Sequence, residues 1–122
     1  MTSQRTELGK RGEAQAVKHL KAMGYKVLQT NYRGRRGEID VVAEKGKTLV
    51  FIEVRTKAST AFGRPEESIS SAKRAHLVAT AHQYLQEHNA DERDWRIDLV
   101  AVEYGPDGRL ARLDVLEHAV EG

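Results

Sequence analysis

Two strand-like stretches of this chain carry acids where a sheet core would exclude them. In "GEIDVVAEKGKTLVFIEVRTK", residues 37–57, the apolar runs Ile39 to Ala43 and Leu49 to Val54 read as neighbouring strands, yet Asp40 and Glu53 lie inside them and Glu38 at the edge of the first. A buried, ionised carboxylate is costly unless it is paired. Alternate side chains of a strand share a face, so Glu53, Arg55 and Lys57 point one way, opposite to Ile52 and Val54, while Glu38 and Asp40 share a face of the strand before. A short turn between the strands brings Asp40 near Glu53. Crowded carboxylates repel, and one takes up a proton unless a cation sits between them. Oxygen ligands on adjacent strands, with water completing the shell, suit Mg²⁺ or Mn²⁺, and such sites commonly work on phosphate esters, with a neighbouring Arg or Lys adding electrostatic support. The plainer alternative is a half-exposed sheet on which the acids pair with Arg55 and Lys57 and contribute little stability.

The elements that would position these residues can be read from periodicity. A helix is expected from about Thr6 to Met23, with Ala16, Val17, Leu20 and Met23 on its buried face and Gly24 ending it. Glu13 falls on the same apolar stripe, a second misplaced acid, and a helix laid on the sheet would carry it toward Asp40 and Glu53. Tyr25 to Tyr32 reads as the first strand, and "RGRRG" at 33–37 as a basic, glycine-rich connection to the second, Glu38 to Ala43. "EKGK" at 44–47 is a tight turn into a third strand running from Thr48 to about Lys57. A polar loop, "ASTAFGRPEES", follows. The second helix should cover Ser70 to His88, with Leu77, Val78, Ala81, Tyr84 and Leu85 on one face. "WRIDLVAVEY" at 95–104 and Leu110 to Leu116 complete the order αβββαββ. Strands two and three must be antiparallel, and the helix between strands three and four permits a crossover, so the expectation is an α/β fold with a mixed β-sheet flanked by helices.

A chain of 122 residues suits one domain, 1–122, with a real core. It has no cysteine, which removes disulfides and thiolate-bound metals and fits the cytoplasm. No apolar run is long enough to span a bilayer, and the start of the chain lacks a secretory signal, so no membrane is expected. Residues 1–61 hold thirteen Lys/Arg against six Asp/Glu, a net of +7, and residues 62–122 hold seven against twelve, a net of −5, which together give the overall +2. A basic half joined to an acidic half points to an anionic partner such as nucleic acid.

Glu13 on an N-terminal helix, "GEIDVVA" with Asp40, "FIEVRTK" with Glu53 two residues before a base, and the helix containing "AKRAHLVATAHQYL" together resemble the PD-(D/E)xK nuclease superfamily. Within it the chain is similar to archaeal Holliday junction resolvase-like members, and over nearly its whole length to the bacterial YraN-like family. The resemblance implies a restriction-endonuclease-like fold and Mg²⁺- or Mn²⁺-dependent hydrolysis of a nucleic-acid backbone, DNA before RNA, with branched or structured DNA as a candidate substrate. It assigns Asp40 and Glu53, and the main-chain carbonyl of Val54, to the metal. Glu13 would orient a water or a second ion, and Arg55 would stabilise the phosphate with Lys57 in reserve. One departure stands out: the superfamily places Lys two residues after the Glu, whereas this chain has Arg55, whose guanidinium cannot act as a base. A binding module that keeps the fold without catalysis is therefore the alternative reading, and an adaptor whose acidic half meets a basic protein is a third.

Arg33, Arg35 and Arg36, beside Tyr32, are candidates for holding a phosphate backbone next to a stacking ring, with Lys73 and Arg74 as further phosphate contacts. Asp98, in "RIDLVAVE", imitates the Asp40 motif but lacks an acid-bearing hairpin partner, and is expected to support a basic group. Glu38 either supports the site or pairs with the neighbouring arginines. The five histidines lack a shared metal-ligand spacing and are expected in solvent. A homodimer would suit a symmetric junction.

Overall fold

The computed structural model describes residues 6–58 and 69–120. Its elements are α1 (Glu7–Ala22), β1 (Lys26–Arg33), β2 (Glu38–Lys45), β3 (Thr48–Ala58), α2 (Ser71–Glu87), β4 (Trp95–Tyr104) and β5 (Leu110–Val120), the expected αβββαββ order. Residues 59–68 of the polar loop after β3 lie outside the described residues. Both helices start at a hydroxyl: Thr6 accepts the Gly9 N–H at 2.9 Å and Ser70 the Lys73 N–H at 3.1 Å, each satisfying an otherwise orphaned donor of the first turn. No helix among the described residues is long and apolar enough to cross a membrane.

The strands lie in the order β1-β2-β3-β4-β5, with β3 and β4 parallel and the other neighbours antiparallel. A parallel pair needs a crossover, and α2 provides it. The helices cover opposite faces. Leu77, Ala81, Tyr84 and Leu85 of α2 pack with Ile39, Val42, Leu49, Phe51 and Ile97, while Ala16 and Leu20 of α1 pack with Val41, Ala43, Val50, Ile52, Val100 and Val102. Strands β2, β3 and β4 are buried on both sides and read as nearly continuous apolar runs for that reason. Against that background an acid in β2 or β3 is conspicuous.

Two details depart from the sequence expectation. Met23 is 42% exposed, because it caps α1 instead of continuing its buried stripe. Strand β5 runs on to Val120, which is buried against Ile97 and the α2 core; the register shift between Ile97 and Leu99, with His118 at φ 52°, turns Val120 inward where simple alternation would have ended the strand.

Gly12 sets the approach of α1 to β3. A Cβ added there would stand 1.9 Å from Thr56 Oγ1 and 2.8 Å from its Cβ, so even one methyl group forces the layers apart. Gly12→Ala is expected to destabilise the protein by roughly 1–3 kcal/mol despite alanine's better helix propensity. A denaturant midpoint equal to or above that of the wild type would contradict this close contact.

Candidate functional site

The paired positions of β2 and β3 end at Val41 opposite Ile52. One step further, Asp40 stands across from Glu53, and here the regular ladder stops. Ile39 and Val42 belong to the same core cluster while Val41 belongs to the other, so the inside-outside alternation of β2 breaks at Asp40. The Asp40 side chain occupies the opening: its Oδ2 accepts the Val54 N–H at 2.8 Å, in place of a main-chain partner. Strand alternation puts Glu53 on the same face as Phe51, under α2.

Glu53 is only 4% exposed. Its Oε2 has two cations near it, Lys73 Nζ of α2 at 3.4 Å and Arg55 Nη1 at 3.5 Å. Burial first, then the negative charge of Asp40, with a hydrogen bond between the two carboxyls adding to it, push the Glu53 carboxyl up to about 8; Lys73 and Arg55 oppose the shift without cancelling it. The acids thus pair with each other through a proton when nothing else lies between them. A divalent cation would take that proton's place. Among the described residues no group of three or more histidine and acidic side chains converges on one point. Two adjacent carboxylates, with main-chain oxygen and water, nevertheless fit Mg²⁺ or Mn²⁺, hard ions often bound to protein through one or two carboxylates and otherwise through water and substrate phosphate.

The linkage has a measurable sign. Glu53 binds its proton more tightly folded than unfolded, so its contribution is fully present below the ordinary carboxylate value and is lost as pH rises toward about 8. Metal-free protein is expected to lose roughly 1–3 kcal/mol of stability across that window, and Glu53→Gln to flatten the dependence. Added Mn²⁺ should stabilise the wild type more at high pH than at low pH. A pH-stability profile identical in wild type and Glu53→Gln would contradict the shared proton.

The other candidates fall into place around this pair or away from it. Lys57, two residues beyond Arg55, stands beside Glu103 in the parallel ladder. Glu13 does not join the acid pair. Its two carboxylate oxygens accept the Asn31 amide at 2.9 and 3.1 Å, in a groove between α1 and β1. Asn31 has a φ of 55°, a left-handed conformation that asparagine tolerates better than most residues. Arg33 pairs with Glu38 at 3.7 Å, which settles Glu38 among the arginines. The loop carrying Arg35 and Arg36 rests on α2: the Arg35 N–H donates to Gln83 Oε1 at 2.8 Å, and a Cβ on Gly34 would approach that same oxygen to 2.8 Å. Arg35 and Arg36 therefore line a groove on the helix that delivers Lys73.

Lys73 is the residue whose place the sequence understated, as a phosphate contact only. It lies on α2 and reaches Glu53 across the crossover, a relation that no local spacing reveals. Asp98 plays the supporting part expected of it: fully buried, it accepts Arg96 Nε at 3.1 Å on both oxygens and the His118 N–H at 3.0 Å. Of the histidines, 76, 82, 88 and 118 are exposed and His19 is half-buried. His88 stacks on Tyr84 with ring centroids 3.8 Å apart, and His82 meets the edge of Trp95.

The fold and site together define a class: a small α/β domain with an acid pair at the point where two central strands part, and a lysine brought to it by the crossover helix. Residues 12–102 match the model of the Uncharacterised protein family UPF0102, and the chain belongs to that family. It is 47% identical to a UPF0102 protein of Dehalococcoides mccartyi over 111 residues, 90% of this chain and 92% of the relative. A UPF0102 protein of Moorella thermoacetica is 43% identical over 119 residues, 98% of this chain and 99% of the relative. One of Roseiflexus castenholzii is 42% identical over 122 residues, 99% and 98% of the two chains.

Proposed function

We propose that the chain is a PD-(D/E)xK-type nuclease of restriction-endonuclease-like fold that hydrolyses phosphodiester bonds of DNA, branched DNA in particular, in the cytoplasm and with Mg²⁺ or Mn²⁺. The observation that carries this reading is the buried Glu53 set beside Asp40, with Lys73 Nζ at 3.4 Å and Arg55 Nη1 at 3.5 Å from its carboxylate. A structural sheet gains little from two carboxylates forced together, whereas a site that must hold a cation gains its ligands.

Asp40 and Glu53 would hold the metal, which when bound supplies charge neutralisation at the scissile phosphate and activation of water. Asp40 is held in place by the Val54 N–H, so its carboxylate is oriented before any ligand arrives. Arg55 keeps its charge and binds non-bridging phosphate oxygens. Lys73 Nζ, once it has given up its own proton to solvent, is the atom that can receive one from the attacking water, which answers the absence of lysine at position 55. Arg35 and Arg36, docked on α2, hold the strand through its phosphates, and Lys57 lies further along β3 as a lesser contact. Glu13 acts from the other side of the sheet through Asn31 and is not placed in the metal set.

The test is incubation of the purified protein with end-labelled single-stranded, duplex, flap and four-way-junction DNA, and with one RNA, in Mg²⁺, Mn²⁺ and EDTA. Metal-dependent products that vanish in EDTA are expected, with the junction or flap cut in preference. Intact but retarded substrate under every condition would instead establish a binding scaffold that has kept the acids without the chemistry.

A further inference from the structure

Four cations lie along one exposed helix crest. The water-facing stripe of α1 runs from Glu7 through Lys10, Arg11, Ala14 and Lys18 to Lys21. Glu7 pairs with Lys10 at 3.6 Å, and Arg11 lies 4.3 Å over the Tyr104 ring. Lys18 and Lys21 form no ion pair with a described residue. Several acids of the second half, in contrast, are paired close by: Arg112 reaches Glu103 at 2.9 Å and Asp114 at 2.7 Å, and Arg96 reaches Asp98 at 3.1 Å and Glu117 at 3.5 Å. The crest itself carries Lys10, Arg11, Lys18 and Lys21 against Glu7, a net of +3 on one exposed helix face.

The shape beside the crest suits a rod-like polyanion. A groove of about 610 Å³ follows the helix on the β1 side, rimmed by Lys10, Lys18 and Lys21 above Ala14 and Val17. A second, of about 520 Å³, follows the other side and shares Ala14 and Lys18 with the first. The small Ala14 leaves the middle of the crest low between its lysines. Glu13, the acid of the first groove, is occupied by Asn31. Lys10 and Lys21 lie about 16 Å apart along the helix axis at 1.5 Å per residue. One strand of a duplex offers about five phosphates over that length.

This crest is on the face opposite α2, which carries Lys73 and receives Arg35 and Arg36. Helix, sheet and helix, packed about 10 Å from layer to layer, separate the two basic surfaces, so a straight duplex laid on one face does not reach the other. We propose that the α1 crest is a second nucleic-acid surface, which holds by its sugar-phosphate backbone a duplex segment other than the one at the acid pair. A branched molecule, with two arms to offer, is gripped on both faces at once. The proposal rests on the nuclease reading only in taking nucleic acid as the partner.

The test is binding in EDTA, where no cleavage is required. Labelled four-way junction and linear duplex of matched sequence are titrated with wild type and with Lys10→Ala/Lys18→Ala/Lys21→Ala, exposed changes whose folding is checked by thermal melting. The wild type should prefer the junction at least tenfold. The triple variant should lose that preference, bind the duplex nearly as before, and show a salt dependence for the junction shallower by about two in log-log slope. The matching arginine variant should retain junction binding. An unchanged preference in the alanine variant, an equal loss on both DNAs, or no preference in the wild type overturns the second surface. If the junction behaves as expected and no metal yields products, the nuclease reading fails and this surface stands.

Discussion

Replacing Glu53 with alanine is expected to reduce metal-dependent cleavage by at least about 1,000-fold while leaving the protein as stable as the wild type, or more so, above neutral pH. The two halves of this expectation have one origin. In the metal-free protein Glu53 is a buried carboxyl beside a second carboxyl, and it holds a proton well above the ordinary range because burial and the Asp40 charge oppose its ionisation. Removing it takes away a repulsion and a ligand together. A purely structural residue would show the reverse pattern: stability would fall and any activity would fall only as far as the folded fraction did. Calorimetric titration with Mn²⁺ separates the cases, since loss of the ligand abolishes the binding isotherm while the melting transition persists. Full cleavage by Glu53→Ala would remove this pair from the chemistry.

The second large effect concerns the base. Lys73 Nζ and Arg55 Nη1 stand at nearly equal distances from the same Glu53 oxygen, 3.4 and 3.5 Å. Both are basic groups beside the same carboxylate, yet only the lysine can give up its proton and then take one from water. Lys73→Ala is expected to slow cleavage by about 100- to 1,000-fold, the range of a lost general base. Lys73→Arg should restore DNA binding without restoring the rate, because it returns the charge alone. Arg55→Lys placed in the Lys73→Ala background should recover part of the rate by supplying an ammonium from the strand. If Lys73→Arg cleaves like the wild type, the lysine acts by charge and the proton goes elsewhere.

The sequence was most informative where one physical rule governed alone. Two-sided burial made β2, β3 and β4 legible as apolar runs, and the helices announced themselves by stripe and by Thr6 and Ser70 at their starts. The closeness of Asp40 and Glu53 followed from the hairpin with Gly46 in its turn at φ 60°. What stayed hidden depended on breaks in regularity or on distance along the chain. Glu13 sits on the apolar stripe as its spacing required, but a left-handed Asn31 in the edge strand takes up its carboxylate, and the strand-like run around Asn31 gives no sign of the interruption beyond the asparagine itself. Lys73 is separated from Glu53 by the whole connection into α2. Only the parallel pairing of β3 with β4 requires a crossover, and it is α2 that lies over the sheet there.

That pairing also fixes an order of events during folding. The β1–β2 and β2–β3 ladders join neighbours in the chain, while β3 and β4 pair residues as far apart as Leu49 and Trp95. Contacts between sequence neighbours cost less chain entropy and close sooner than distant ones. The meander that sets Asp40 against Glu53 is therefore local, and the parallel ladder that secures α2 above it is not. A chain still emerging from the ribosome can bring the two acids together before β4 has been made, and it gains its lysine as a stable neighbour only when the last half of the sheet is added. The two carboxylates are in place before the ammonium that faces them.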